Sequence, residues 1–600
     1  MRIYLKEKIG NPELFTGRKR ELTFYLTWIE RITRESSQSS AILSRRKTGK
    51  TALLQRLYNL TFEKDMGVIP FYYEVPEGKQ WVVEFCQDFY LTFVYQYIAY
   101  TTRTPEYVEL SRQAEKNFVT VMDIARQESL EYLLDSLKGI AALVEKRQAG
   151  LLWHAVREAP WILAARQGES IVQIIDEFQY LNSEMYWDEA KTNLADDLAS
   201  GYMRTAEYKN APLLVSGSWV GWLSQLLNRM TGRFQLDFLE PLPEDEAVET
   251  VFKYAQLENV PVTESTAYLM AQVCEGNPAY ISALMRSRCP QKDLRTDTGV
   301  LQTLEFETLD DRGSIKNTWK EYLQSALPRI NAVHAKHIIL YLCKHKDQHV
   351  LRRDLLQHLN LPITEEKLEH KMEMLIRADI VKHGRTNARY QAVQDNIFDK
   401  VFRGMYAEDI EAFDPKEITN EYKALFEKTR KKYRALLGKY SQLKGPLPEK
   451  GAFAEYQILK KLRTAYRHQD RFRAMIQNLP EGFEFVEYDS VWSYYGTAQG
   501  RPDFQVDIWA RPKDGAVEAT AEATAEAIAV IGEIKNRENA PFTGPEAHDF
   551  LDKMATLQEI EHITEAIGFV YSRGGFTTPA LDILREHQIA YSDDVRWLDE

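Results

Sequence analysis

The sequence predicts a multidomain α/β protein, and three observations lead there. Short apolar runs at 41–43, 68–75, 171–175 and 213–215 alternate with stretches of helical periodicity, the order that builds a parallel, doubly wound sheet. The first run leads directly into Gly49-Lys50-Thr51, a turn with a specific chemistry. A second alternation of strands and helices fills 445–600, beyond a Pro- and Gly-rich boundary at 444–451 (KGPLPEKG).

Composition sets the frame. A chain of 600 residues is too long for one core, so several domains are expected. Hydrophobic residues at 44% and charged residues at 27% are those of an ordinary globular protein. The formal net charge of -12 argues against a uniformly basic coat for nucleic acid, while a local basic groove stays compatible with it. Cys86, Cys274, Cys289 and Cys343 lie far apart without a CxxC pair, which argues against zinc and against a disulfide framework and fits a reducing compartment. The opening MRIYLKEKIGNPELF lacks a signal-peptide core, and no run approaches the ~18 apolar residues of a membrane span. A cytoplasmic protein without a membrane partner is expected.

Taken in order, the expected domains begin with a phosphate-binding core over 1–240, interrupted by a helical, aromatic-rich insertion at about 80–168. A helical lid follows over 241–314, then three helices and a β-hairpin over 315–405, a charged helical connector over 406–444, and the second α/β domain over 445–600. Helices at 335–344, 352–358 and 365–378 and a hairpin around 380–393, turning at Gly384, give the pattern of a winged helix. Arg352, Arg353, Lys382 and Arg385 are candidate phosphate contacts if that unit takes duplex. The acid-rich EEKLEHKMEMLIR at 365–377 fits packing between domains at least as well. The biased EATAEATAEA at 518–527 reads as a surface insertion without chemistry.

Residues 44–51, SRRKTGKT, follow the P-loop spacing GxxxxGK[ST], with Ser44 where the first glycine belongs. That chemistry needs backbone N–H groups around phosphates at a helix N-terminus, a lysine on the β/γ-phosphates and a hydroxyl on Mg²⁺. Arg46, Lys47, Thr48, Gly49, Lys50 and Thr51 are the candidate nucleotide-binding residues, and Ser44 is expected to accept the turn at some conformational cost. The apolar strand at 171–175 ends in Asp176-Glu177, so Asp176 is placed to hold Mg²⁺ with Thr51, and Glu177 to polarise the attacking water. Ser216, at the tip of a third strand, either contacts the γ-phosphate or its water, or simply ends the strand. Arg233 can reach a phosphate in cis or from a neighbouring subunit; a surface ion pair is the plain alternative. ATP and Mg²⁺ are the cofactors this pattern calls for.

Strand parity singles out a second site. In 503–510 (DFQVDIWA) the even positions are apolar and Asp507 falls on the other face. In 528–535 (IAVIGEIK) Glu533 and Lys535 share a face while Ile534 points away. Neighbouring strands would then aim Asp507, Glu533 and Lys535 at one spot. Carboxylates suit hard Mg²⁺, with Mn²⁺ as a substitute, and the lysine can position a water and steady charge on a phosphodiester. This is the D…ExK pattern of PD-(D/E)xK nucleases, and Glu455, in GAFAE at the start of a helix, resembles the helical acid that precedes it and joins the candidate metal set. Gln558, a helix further on, stays outside the expected site.

The FTGRKREL of 15–22 resembles the FxGRxxEL opening of the archaeal-type ATPases, relatives of the STAND and AAA+ groups. Arg45-Arg46 before GKT, the Asp176-Glu177-Phe178-Gln179 strand end, Ser216-Gly217-Ser218, Gly232-Arg233, the LEPL of 239–242 and Gly276-Asn277-Pro278 follow in that family's order, over roughly 11–290. Across about 445–590, the order GxxxE, VDIWA, GEIK resembles the nuclease-like tail appended to many of its members. The resemblance implies a nucleotide-driven switch, often followed by a winged helix. Together these readings give an ATP-binding and ATP-hydrolysing, metal-dependent nuclease acting on DNA, with RNA as the lesser alternative. It is expected to be a homo-oligomer under nucleotide control, in prokaryotic defence or mobile-element biology. The alternative is a non-catalytic ATP-dependent switch or DNA-binding regulator with a vestigial nuclease fold.

Overall fold

Among the described residues, the first 240 positions hold seven strands, and five of them form one sheet. These are β1 (Ser40–Leu43), β2 (Val68–Glu74), β4 (Ser170–Asp176), β6 (Leu213–Gly217) and β7 (Gln235–Phe238); the short β3 (Gln80–Trp81) and β5 (Met185–Tyr186) pair with each other. The computed structural model describes residues 3–218, 220–228, 232–329, 334–346, 348–384, 386, 388–393, 395–410, 416–440, 448–496, 504–512, 528–538, 540–561, 563 and 565–598. The large sheet has the order β2-β4-β6-β1-β7, and every pairing in it is parallel. Helices cover both faces, which is why its strands are near-continuous apolar runs, with all of β1 buried. Parallel strands all end at one edge, so the turn after Leu43, Asp176 and the Gly217-Ser218 tip converge there.

Helices Val82–Thr102, Glu106–Leu110, Phe118–Gln127, Leu134–Glu145 and Ala149–Gln167 intervene between β2 and β4. Val82–Thr102 lies along the sheet-edge strand β2, its Phe89 ring 5.1 Å from Phe71 and 4.9 Å from Tyr73. Gln96 takes the hydrogen bonds a further strand would make: its side chain accepts from Tyr72 N at 2.8 Å and donates to Tyr72 O at 3.0 Å.

From Leu242 to Tyr433 a single hydrophobic core runs through the lid helices, the three-helix unit and the connector. The divisions expected at 314/315 and 405/406 do not interrupt packing. Trp319 meets Phe398 with ring centroids 4.7 Å apart, and Tyr422 of the connector helix Lys416–Tyr440 donates to Thr308 at 3.1 Å. Apolar residues at helical spacing read alike whether they face their own domain or the next. The unit itself holds helices Ala335–Lys344, Arg352–His358 and Glu365–Arg377. Beside them lies a three-stranded antiparallel sheet, β8 (Val350–Leu351), β10 (Arg389–Ala392) and β9 (Val381–His383), in the order β8-β10-β9. Helix Glu365–Arg377 packs against helix Val220–Asn228 of the first domain, so one side of it is engaged within the chain. Among the described residues no helix is long and apolar enough to cross a membrane.

The last 150 residues form a second five-stranded sheet, β11 (Tyr488–Gly496), β12 (Phe504–Pro512), β13 (Ala529–Lys535), β14 (Ala566–Ser572) and β15 (Ala590–Ser592), in sequence order. The first three strands are antiparallel to one another and the last three parallel. Helix Pro448–Thr464 covers one face through Ala454, Ile458 and Leu462, and helices Gly544–Glu561 and Thr578–Glu586 cover the other. The biased repeat at 518–527 and Asp503 lie outside the described residues.

Candidate functional site

The turn after β1 is shaped by backbone conformation first. Lys47 and Gly49 both have left-handed backbone, φ 66° and 93°, and Gly49 caps the N-terminus of helix Lys50–Lys64. Ser44, where glycine was expected to be needed, is not in that region; its hydroxyl instead meets Thr48 Oγ1 at 2.5 Å. The conformational cost expected of Ser44 is absent. Lys50 is buried and donates to Ser44 O at 3.0 Å and Arg45 O at 3.3 Å, curling the loop back on itself. Burial pulls its pKa down, against the opposing charges of Glu177 and Asp176. A triphosphate would give this ammonium an anionic partner in place of two carbonyls.

The strand ends complete the cluster. Thr51 Oγ1 donates to Asp176 Oδ2 at 2.6 Å, and Ser216 Oγ donates to the other oxygen of Asp176. Ser216 thus acts on Asp176 in this state. Glu177 has left-handed backbone, φ 53°, and its carboxylate accepts from Ser218 Oγ at 2.9 Å and from Gln179. Burial and then the Asp176 charge raise its pKa, the direction that suits a proton acceptor. Thr51 and Asp176 are in position to share a Mg²⁺, with a nucleotide supplying further oxygens.

Two residues outside the expected list hold this loop. Arg18, 3% exposed, donates from its guanidinium to Thr48 O at 2.9 Å and Glu240 O at 2.6 Å, while its backbone N–H donates to Glu246 at 2.8 Å. The FxGR spelling was the available signal, but only a structure shows that its arginine reaches the P-loop. Arg45 ion-pairs with Asp379 at 3.0 Å and Asp395 at 2.8 Å, and lies over the Trp319 and Phe398 rings at 5.3 and 5.5 Å. Burial opposes its charge, but Asp379 and then Asp395 outweigh it and its pKa rises. Arg46 donates to Tyr180 Oη at 3.1 Å and lies 4.6 Å over the Tyr322 ring. Lys47 is exposed.

Arg233 requires a correction. It precedes β7, whose Gln235 lies beside Ser40 at the start of β1, so Arg233 stands at the sheet edge opposite the P-loop. In this structure Arg233 is turned to Glu207, its ion-pair partner at 2.9 Å, and not to the chain's own P-loop. Of the candidate duplex contacts, Arg352 pairs with Glu369 at 2.5 Å, Arg353 lies 3.6 Å from Asp354, Lys382 is exposed, and Arg385 lies outside the described residues.

In the C-terminal domain the pairing of β11 with β12 shifts register twice, once between Tyr488 and Ser490 and once between Trp492 and Tyr494, and the second shift bears on the site. Trp492 is opposite Trp509 while Tyr494 is opposite Val506, so three steps on β12 oppose two on β11: a bulge beside Asp507. Val506 accordingly packs with Phe550 and Leu557, whereas Ile508 and Ala510 pack on the other face with Ala454 and Ile458. The pairing of β12 with β13 ends at Ile508 opposite Gly532, and the Asp507 carboxylate accepts from Ile534 N at 2.8 Å. Asp507 therefore occupies the fork between the two strands. Glu533 and Lys535 do share a face; Lys535 Nζ contacts Glu533 Oε1, and Lys553 Nζ lies 3.5 Å from the same oxygen. Glu533 is 4% exposed, and its Oε2 has no hydrogen-bond partner.

Glu455 does not join a three-acid group. Among the described residues no three Asp, Glu, His or Cys side chains gather as metal ligands. Glu455 comes from helix Pro448–Thr464, on the face opposite Glu533, which sequence order could not reveal. Its pKa is pushed well up by burial and then by the Asp507 charge. Among the described residues this leaves two carboxylates, Asp507 and Glu533, and the orphaned buried oxygen of Glu533 fits a divalent cation that keeps several waters.

The Asp507 pKa is pushed up to about 7 by burial, then by the Glu533 charge, with Lys535 opposing. A cation binds the carboxylate and not the acid, so protons compete with it. Affinity for Mn²⁺ at this site is expected to rise about tenfold per pH unit up to pH 7 and to level off above. Calorimetric titration across that range checks it; a flat profile would contradict the assignment of Asp507.

No family model matches the sequence, and no curated protein does. Solved structures with some likeness include a Walker-type ATPase of Pyrococcus abyssi, 15% identical over 67% of this chain and 100% of that one, with a TM-score of 0.42. The RuvB Holliday junction branch migration motor of Thermotoga maritima is 14% identical over 69% and 99%, with a TM-score of 0.30. The ORC2 protein of Aeropyrum pernix in its ADP form is 11% identical over 72% and 98%, with a TM-score of 0.34.

Proposed function

We propose that this protein binds and hydrolyses ATP at the P-loop and cuts DNA at the Asp507–Glu533–Lys535 site, with the nucleotide controlling the cut. The observation behind the first half is the convergence of Lys50, Thr51, Asp176 and Glu177 at one sheet edge. At each site a bound Mg²⁺ would supply charge neutralisation and a more acidic water. Lys50 would neutralise the β/γ-phosphates, Glu177 would take the proton of the attacking water, and Arg18 would hold the loop in shape through Thr48 O. In the C-terminal domain Lys535 would orient a water and stabilise charge on the phosphodiester. The unit at 335–393 is read as a winged helix, which favours DNA over RNA. Arg233, on the far sheet edge and paired with Glu207, would meet a nucleotide only from a neighbouring subunit, and a homo-oligomer is part of the reading on the family resemblance. A role in prokaryotic defence or mobile elements rests on the family resemblance alone.

Control has a physical route. Glu246, in the first turn of lid helix Glu244–Leu257, accepts from Arg18 N, and further along the same helix Phe252 stacks on Tyr456 at 5.1 Å. Gln256 donates to Val491 O at 3.0 Å and accepts from Arg463 at 3.0 Å. One helix therefore touches the residue that holds the P-loop and the helix that bears Glu455. A shift at one end is felt at the other because packed helices move as bodies. Phe252→Ala is expected to leave ATP hydrolysis within about twofold and to abolish the effect of ATP on cleavage. Parallel assays of both activities check this, and unchanged ATP dependence would refute the route.

The rival reading, a nucleotide-driven regulator with an inert nuclease fold, draws on the two lysines already neutralising Glu533. Plasmid incubated with Mg²⁺ or Mn²⁺, with and without ATP, separates the two. Cleavage supports the enzyme; none under any of these conditions supports the regulator.

A further inference from the structure

The C-terminal site holds a second lysine that the D…ExK spacing does not point to. Lys553 lies on helix Gly544–Glu561, whose Ala547, Phe550 and Leu557 pack against the sheet. That packing fixes its ammonium 3.5 Å from Glu533 Oε1, with Asp549, one turn earlier, at 2.8 Å. Asp549 is 64% exposed, so that pair is screened and weak, whereas Glu533 is buried. The buried contact is the informative one.

We infer that Lys553 is a substrate-binding residue of this site, resting on Glu533 until a divalent cation takes that carboxylate and then turning to a backbone phosphate of the bound strand. The inference rests on the proposed nuclease reading. Its basis is charge: at the fork Asp507 and Glu533 face Lys535 and Lys553, two carboxylates against two ammoniums. A divalent cation on Glu533 adds positive charge to a cluster already supplied with it, and the ammonium held at 3.5 Å is the looser of the two. Glu533 Oε2, buried without a partner, is the oxygen left open to the cation. The displaced ammonium keeps only its exposed, screened partner Asp549 at 2.8 Å, and a sugar–phosphate backbone is the second anion this fork is proposed to receive.

Lys553→Met and Lys553→Arg test this in the full chain, with metal and duplex binding measured without nucleotide, cleavage measured with and without ATP, and Glu533→Gln as the blank for metal binding. Lys553→Met loses a competing cation, so its Mn²⁺ affinity is expected to rise about three- to tenfold. Its KM for duplex is expected to rise about tenfold with kcat within about threefold, and the salt slope of duplex binding to flatten by roughly 0.9, one phosphate contact. Lys553→Arg is expected to restore KM and the slope. A lysine that only supports the helix would weaken metal and duplex binding together, and that pattern overturns the inference. So does a methionine variant matching wild type in Mn²⁺ affinity, KM and slope. Wild-type protein that neither binds Mn²⁺ at this site nor cuts duplex, with or without ATP, refutes the nuclease reading itself, a distinguishable failure.

Discussion

Lys50→Ala is expected to weaken ATP binding by about 100-fold or more, the largest single effect at the P-loop. An ammonium on a phosphate is a charge-assisted contact in a partly dehydrated loop, and about 2.7 kcal/mol corresponds to that factor. The substitution should spare the fold, since Lys50 now donates only to the Ser44 and Arg45 carbonyls. Glu177→Gln keeps the shape of the side chain and its contact with Ser218 but removes the proton acceptor. It is expected to bind ATP normally and to turn over about 10²–10⁴-fold more slowly. Titration with a fluorescent nucleotide and release of phosphate check the pair. Equal ATPase rates in wild type and both variants would refute the assignment.

The second large effect concerns the fork in the C-terminal sheet. Lys535→Ala is expected to lower duplex cleavage about 10²–10³-fold, the range for removing one group aimed at developing charge. Asp507→Ala is expected to abolish cleavage and weaken Mn²⁺ binding, because one of the two carboxylates that the described residues place at the site is lost. Both should hydrolyse ATP at the wild-type rate, since the P-loop lies in another domain. Cleavage that survives in both variants would remove Asp507, Glu533 and Lys535 from any catalytic role.

Much of the fold was legible because its signals are local. The apolar runs before Ser44, Asp176 and Ser216 are strands buried on both faces, and they became β1, β4 and β6. Glu533 and Lys535 were placed on one face because β13 alternates without interruption. Asp507 was only half legible: a bulge depends on the register of β11 against β12, and nothing in 503–510 announces the extra residue. Arg233 had the right type and order but the wrong edge of the sheet for its own nucleotide, because a motif gives sequence and not distance. Arg18, Arg45 and Lys553 act through partners 30, 334 and 20 positions away, beyond any local pattern.

Anomalous scattering from crystals grown with Mn²⁺ and a non-hydrolysable ATP analogue bears most directly on the proposed pairing of two metal sites in one chain. Two peaks are predicted, one beside Thr51, Asp176 and the triphosphate, the other against Asp507 and the Oε2 of Glu533. A peak at the P-loop with none at the fork would contradict the nuclease and leave a nucleotide-driven regulator.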